Sequence, residues 1–290
     1  MLTHLPLSAL SDTQALRAHI AQWKSEGLRV GFVPTMGALH AGHISLIETA
    51  LRHADRVVAS IFVNPTQFAP GEDFDSYPRT LEADAQKLVE AGCHLLYAPL
   101  ASDMYPQGFA TTVSLDGPAL ELETEFRPHF FAGVATVVSK LFQRVRPDVA
   151  VFGQKDFQQL RVIERMTLDL DLDIEIMGAP TLREDDGLAL SSRNAYLSAQ
   201  ERQTAAQLYA ILNELKDRLE AGKPLSECLF QAREKAQSVF DSVDYIAVRD
   251  EATLSAIEAH GARPARALGA VKLGRTRLID NLPVHGLNQG

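Results

Sequence analysis

The sequence of 290 residues predicts an α/β fold: a doubly wound parallel sheet followed by a smaller α+β cap. Three observations carry this. Apolar runs without alternation at Val30–Val33, Arg56–Val63 and Val149–Phe152 suit strands buried on both faces. Segments with apolar residues at helical spacing lie between them, so strand and helix alternate as far as Met177, the pattern of a parallel sheet covered on both sides. After Pro180 the order becomes helix, helix, strand, strand. The boundary therefore falls near residue 182, giving a larger unit over 1–182 and a cap over 183–290.

In chain order, Ser11–Glu26 reads as a helix with Ser11 and Gln14 as its capping box, Leu16, Ile20 and Trp23 on its inner face, and Gly27 as its stop. A strand from Val30 breaks at Pro34, passes a turn holding Gly37 and Gly42, and gives way to a helix on which Ile44, Leu46, Ile47 and Leu51 face inward. The Arg56–Val63 strand leads into a polar, proline-marked loop, Asn64–Pro78. Thr80–Ala91 is helical, with Leu81 and Leu88 on one face, and Leu95–Tyr97 is a short strand. Thr111–Leu115 has the composition of an edge strand. Gly133–Arg146 is a helix with a wide apolar face, stopped by Pro147. Beyond Val149–Phe152, a turn at Gly153–Asp156 enters a helix carrying Leu160, Ile163 and Met166, and Ile174–Met177 is the next strand. These units make the larger part Rossmann-like. In the cap, Ser198 and Glu201 form a capping box for a helix lined by Leu208, Leu212, Leu215 and Leu219. Leu225–Phe240 is a second helix. Asp244–Arg249, Ala265–Leu273 and Thr276–Asp280 read as strands, the last two joined by a hairpin turn at Gly274-Arg275.

Composition narrows the function. Apolar residues make up 46% and charged residues 22%, which is ordinary for a globular chain. A net charge of −9 argues against nucleic acid or an anionic membrane as partner. It also makes each locally placed cation informative. Cys93 and Cys228 match no metal spacing and read as inert thiols. No stretch approaches a membrane span of about 20 apolar residues, and the first residues lack the basic start and apolar core of a signal peptide, so a cytosolic location is expected.

Chemistry concentrates at strand-to-helix turns. His40-Ala41-Gly42-His43 sits where a turn meets a helix start, a geometry that offers backbone N–H groups to a phosphate. Its two imidazoles, three residues apart, share one side of the helix. Two plainer readings remain open: histidines that merely cap the helix, and a zinc site, for which no third ligand has a recognisable spacing. Lys155 and Asp156 follow a second buried strand, at the end where α/β folds take ligands. They are either a solvated pair or a cation for phosphate beside a carboxylate that orients it or helps hold Mg²⁺. Gln67, just past a third strand, can read a hydroxyl and a carboxylate together. In Leu190-Ser191-Ser192-Arg193, two hydroxyls and a guanidinium suit phosphate oxygens, against the alternative of a serine-rich turn.

The His40–His43 segment resembles the nucleotide signature of transferases that activate carboxylates or phosphates with ATP. The longer phrase from Val33 to His43 resembles the pantothenate synthetase (pantoate–β-alanine ligase) family in particular. The likeness runs from about residue 10 to Arg277-Leu278-Ile279-Asp280-Asn281. It implies condensation of (R)-pantoate with β-alanine, driven by ATP through a pantoyl adenylate, with pantothenate, AMP and pyrophosphate as products. It implies ATP contacts from Met36, Gly37, Ala38, Leu39, His40, Ala41, Gly42 and His43, from Gly153, Gln154, Lys155 and Asp156, and from Leu182, Leu190, Ser191, Ser192 and Arg193. His43, His40 and Lys155 become the catalytic groups, with His43 the proton donor of the imidazole pair. Gln67 would touch pantoate and β-alanine, and Gln159 pantoate. Mg²⁺ would arrive with ATP rather than in a dedicated metal site, and the assembly would be a homodimer.

One stretch departs from the family phrase Arg-Pro-Gly-His-Phe-Arg-Gly-Val. Here it reads Arg127-Pro128-His129-Phe130-Phe131-Ala132-Gly133-Val134, so no catalytic role is read for His129 and a pantoate contact by Arg127 loses its support. Two rivals stay open: another adenylyl- or cytidylyltransferase of the same fold, which would not need Gln67 and Gln159 as a pair, and a non-catalytic nucleotide-binding regulator. An NAD-dependent oxidoreductase is disfavoured, because no Gly-x-Gly-x-x-Gly follows the first strand.

Overall fold

A computed structural model describes residues 2, 4–68, 72, 74–257 and 264–285. Part of the Asn64–Pro78 loop, at 69–71 and 73, lies outside them. The first half comprises β1 (Ala9–Leu10), α1 (Thr13–Ser25), β2 (Val30–Thr35), α2 (Ala41–His53), β3 (Arg56–Ile61), α3 (Leu81–Glu90) and β4 (Leu95–Tyr97). Then come α4 (Ala101–Met104), α5 (Glu123–Phe126), α6 (Phe130–Val145), β5 (Val149–Gly153), α7 (Phe157–Asp169) and β6 (Glu175–Ala179). All six strands are parallel, in the order β1-β4-β3-β2-β5-β6. The chain reverses direction of growth between β2 and β5, the switch point at which such sheets open a crevice beyond the strands' carboxyl ends.

The buried strands supply both layers of core. In β2, Val30 and Phe32 pack toward α1 and α6 while Val33 packs toward α2; in β5, Ala150 and Phe152 take the first side and Val151 the second. This two-sided burial is why these strands read as unbroken apolar runs.

The cap holds α8 (Ala199–Ala205), α9 (Gln207–Glu220) and α10 (Leu225–Val239), then β7 (Ser242–Asp250), β8 (Ala265–Leu273) and β9 (Thr276–Val284) in an antiparallel sheet ordered β7-β8-β9. Leu208, Leu212, Leu215 and Leu219 meet Val248, Ala267 and Val271 in a separate core. The β8–β9 connection is the two-residue turn Gly274-Arg275, with Gly274 at φ +56°, as a tight hairpin requires.

Four local expectations are corrected. Asp12, not Ser11, caps α1: its Oδ1 accepts from the Ala15 N–H at 2.7 Å, and a carboxylate accepts more strongly than a hydroxyl. The helix after Ser198 is two helices with a break at Ala206, although the Ser198–Glu201 capping box forms as expected. Thr111–Leu115 joins no sheet; the Val113 N–H is met by Thr136 Oγ1 of α6 at 2.9 Å. The helix expected from Gly133 starts earlier, at Phe130, drawing the divergent His129–Ala132 stretch into its first turn.

Candidate active site

A cavity of about 850 Å³ opens at the switch point and is roofed by the cap. From the β2–α2 turn its wall takes Met36, His40, Gly42 and His43; Gly37, Ala38, Leu39 and Ala41 stand behind that wall. From the β5–α7 turn it takes Gly153, Lys155 and Asp156, while the Gln154 side chain turns away to the Gly178 carbonyl at 3.3 Å. Gln67 and Gln159 line it, as do Leu182 at the boundary and Leu190, Ser191, Ser192 and Arg193 on the cap side.

The two histidines are joined through their own helix start. The His40 N–H donates to His43 Nδ1 at 3.3 Å, and His40 Nδ1 accepts from the Gly42 N–H at 3.1 Å. Each ring therefore uses Nδ1 as an acceptor and carries its proton on Nε2. The ring centroids lie 4.1 Å apart, with the planes tilted by 47°. Burial, then the Lys155 and Lys87 charges, lower His40 to about 4. Burial, then His40 and the same lysines, push His43 down to about 3. Both are neutral near pH 7. A Cβ on Gly42 would lie 2.9 Å from the His40 ring, so only glycine lets that ring fold back to its cap.

Most of the backbone N–H groups expected to be free in this turn are engaged. Gly37 donates to Thr35 Oγ1 (3.2 Å), Ala38 to Asp84 Oδ2 (2.9 Å) and Leu39 to Asp84 Oδ1 (2.8 Å). With His40 and Gly42 also committed, this part of the turn is braced from behind, and its two imidazoles face the cavity. Asp84, fully buried on α3, also accepts from Thr80 Oγ1 at 3.1 Å, and Lys87 Nζ reaches the Leu39 carbonyl at 2.6 Å. The sequence reading missed both. The one signal was an aspartate at the apolar i+3 position between Leu81 and Leu88.

Gln67 ends a short turn, Pro65–Gln67, after β3. Its Oε1 accepts from Asn64 Nδ2 at 3.1 Å and its Nε2 approaches Met36 Sδ at 3.1 Å. Asn64 is itself fixed: Nδ2 donates to the Gly133 carbonyl (3.2 Å), and Oδ1 accepts from Tyr105 Oη (2.7 Å). At Gly133 a Cβ would fall 2.5 Å from the Thr66 carbonyl oxygen, so α6 presses directly on the Gln67 turn. The adjacent glutamines of α7 divide their work. Gln158 is buried and donates to the carbonyls of Pro118 (3.0 Å), Leu120 (3.3 Å) and Glu121 (3.2 Å), whereas Gln159 faces the cavity.

Ser191 caps the turn Ser192–Tyr196 by accepting from the Arg193 N–H at 3.2 Å, and Ser192 Oγ lies 3.2 Å from Tyr77 Oη. The Leu182 carbonyl accepts from the Leu190 N–H at 2.9 Å, closing a small hairpin over the cavity. Lys155 Nζ is 3.9 Å from Asp156 Oδ1, too long for a hydrogen bond. Arg127 is held by Glu72 at 2.8 Å and sits 3.9 Å over the Phe130 ring. Phe130, where the family phrase has histidine, thus packs against the arginine.

A parallel sheet whose switch point carries two neutral histidines, a lysine and a pair of glutamines around one cavity places a ligand-sized site where α/β folds take their ligands. The family model for "Pantoate-beta-alanine ligase" matches residues 8–283, and the chain belongs to that family. It is 56% identical over 270 residues to a pantothenate synthetase of Rhodospirillum rubrum, covering 93% of this chain and 96% of that one. The pantothenate synthetase of Thermus thermophilus superposes with a TM-score of 0.89 at 45% identity, covering 96% of this chain and 100% of that one. A pantoate–β-alanine ligase of Francisella tularensis, solved with "Beta-gamma ATP" and β-alanine, gives 0.80 at 33% identity, covering 97% and 100%.

Proposed function

We propose that this protein condenses pantoate with β-alanine at the expense of ATP. The observation that carries the reading is the convergence of His40, His43 and Lys155 with Gln67 and Gln159 on one cavity, in a chain of this family. A pantoate carboxylate oxygen bonds to the α-phosphorus of ATP while the bond from that phosphorus to pyrophosphate breaks. The β-alanine amine then bonds to the acyl carbon, AMP departs with the oxygen that came from pantoate, and the amine proton passes to solvent.

Charge accumulates on the departing pyrophosphate. Neutral Nε2–H groups, fixed before substrate arrives, and the Lys155 ammonium stabilise that charge more than the ground state. In this reading His43 is a hydrogen-bond donor that keeps its proton, because a ring lowered to about 3 is neutral and its Nδ1 is already engaged. Met36, His40, Gly42, His43, Gly153 and Asp156 flank the triphosphate. Leu182, at the boundary, and Leu190, Ser191, Ser192 and Arg193 of the cap close over it. Gln67, its carboxamide oriented by Asn64, reads pantoate and β-alanine, and Gln159 reads pantoate. Excluding water protects the mixed anhydride.

Mg²⁺ fits as a companion of ATP. Among the described residues no three His, Cys, Asp or Glu side chains converge on a metal-sized site. Asp156, half exposed beside Lys155, suits an ion that draws most of its oxygens from phosphate and water. Such an ion would neutralise charge on the leaving pyrophosphate. No helix among the described residues is long and apolar enough to cross a membrane, and by family analogy we read the protein as a cytoplasmic homodimer.

The test is isotopic. Pantoate labelled with ¹⁸O in its carboxylate must deliver one label to AMP. Unlabelled AMP would exclude attack at the α-phosphorus and with it the adenylate route.

A further inference from the structure

Asn281, in the family-like Arg277–Asn281 phrase of β9, lies on the cap, yet its side chain ends on the backbone of the phosphate-facing turn of the other sheet. Its Nδ2 donates to the Gln154 carbonyl at 2.9 Å and to the Lys155 carbonyl at 2.8 Å. Its Oδ1 accepts from Arg266 Nη1 at 3.2 Å. A guanidinium on one side and two carbonyls on the other admit a single orientation of the amide.

The support behind it is rigid. Arg266 is buried, packs 3.8 Å over the Phe157 ring at the start of α7, and lies 3.4 Å from Glu251. Asp280 accepts from Arg183 at 2.6 and 2.9 Å and from the Asn281 N–H at 2.7 Å. The Asn281 carbonyl also accepts from Arg183, at 3.3 Å. Apart from the Gln154 side chain's bond to the Gly178 carbonyl at 3.3 Å, the turn being held has little else to fix it: Gln154–Asp156 has no side-chain cap and none of its residues is fully buried. The Lys155–Asp156 contact is long, at 3.9 Å. Fixing the carbonyls of residues 154 and 155 fixes the peptide planes on both sides of the Lys155 Cα, and so the direction in which its side chain leaves the backbone.

We infer that Asn281 is a positioning residue for adenylate formation, acting through Lys155: the cap sets the aim of the lysine that meets the phosphates. This rests on the proposed ligase function and on the phosphate role of Lys155 within it. Lys155 serves pyrophosphate departure and has no part in attack by the amine, so the effect of Asn281 should be confined to the first half-reaction.

The test compares Asn281→Asp, Asn281→Ala, Lys155→Ala and the two double variants in the full-length protein. Two rates are read: pantoate-dependent ATP–pyrophosphate exchange, and release of AMP from supplied pantoyl adenylate on adding β-alanine. Asn281→Asp replaces two donors with a carboxylate facing two carbonyls. It is expected to slow exchange about 10- to 100-fold while leaving amine transfer within about twofold. On the Lys155→Ala background the same substitution should cost less than about twofold, because the group it acts through is gone. Full additivity on that background overturns the inference, as does an equal loss in both half-reactions. If Asn281→Asp does not fold, Asn281→Ala removes the donors without adding charge and carries the same comparison. Exchange undiminished in Lys155→Ala alone would instead reject the phosphate role of Lys155, a separate outcome.

Discussion

His43 has its Nδ1 engaged by its own helix start, which leaves one hydrogen to offer, at Nε2. In the proposed reaction its value is therefore the strength and placement of a neutral donor. His43→Ala is expected to slow adenylate formation about 10²- to 10³-fold while weakening ATP binding far less, measured by single-turnover pyrophosphate release beside equilibrium binding. Equal losses in both would remove the transition-state role. The same burial has a cost in acid. An unfolded imidazole keeps its ordinary value of 6.5, whereas the native rings lie at about 4 and about 3. Between those values the unfolded chain binds protons that the native chain refuses. Stability is thus intact above about pH 6.5 and falls as pH drops toward the native values. For His43 the slope is on the order of 1 kcal/mol per pH unit, and the more exposed His40 adds less. Urea unfolding at about pH 7.5 and about pH 5 should show a smaller difference in His43→Asn than in the parent protein.

The turn from β2 to α2 depends on α3, which reaches it from behind through Asp84. Asp84→Ala strands the Ala38 and Leu39 N–H groups in a buried site. It should cost about 2–4 kcal/mol in denaturant unfolding and lower turnover, because the His40 and His43 start is no longer braced. Unchanged stability would mean that the turn holds itself. Much at this scale was legible in the sequence: the strands as apolar runs, α6 by its wide apolar face, and the Ser198–Glu201 box by its spacing. Residues whose neighbours are local in sequence announce themselves by pattern. Asp84 did not, since the amides it braces lie 45 and 46 residues away. Thr111–Leu115 misled for the converse reason. It has the composition of a strand, but its Val113 N–H bonds to a threonine side chain on α6. Two of the amides expected to be free in the His40 turn were hidden on the same ground, because a carboxylate on another element takes those of Ala38 and Leu39.

Across the whole molecule, the cap and the sheet meet at a buried charge cluster as well as at Asn281. Glu123 on α5 accepts from Arg277 at 2.7 and 2.8 Å and from Tyr245 Oη at 2.7 Å, and Arg277 also pairs with Asp244 at 2.7 Å. Burial, then the Glu123 charge, holds the Tyr245 hydroxyl protonated well above its usual range, so it remains a donor. Glu123→Ala leaves Arg277 with less than its full complement and should cost about 3–5 kcal/mol. Denaturant unfolding would measure this, and Glu123→Gln should be milder because it keeps an acceptor for Tyr245. Such a seam holds the cap over a cavity in which a hydrolysable anhydride has to survive.

The most direct test of the ligase reading is pyrophosphate release from ATP and pantoate, followed with and without β-alanine. Without the amine, one equivalent of pyrophosphate per site is expected and then arrest. With it, steady turnover should follow, yielding AMP and pantothenate in equal amounts. Continuous pyrophosphate release without the amine, or none at all with pantoate present, would contradict the two-step account.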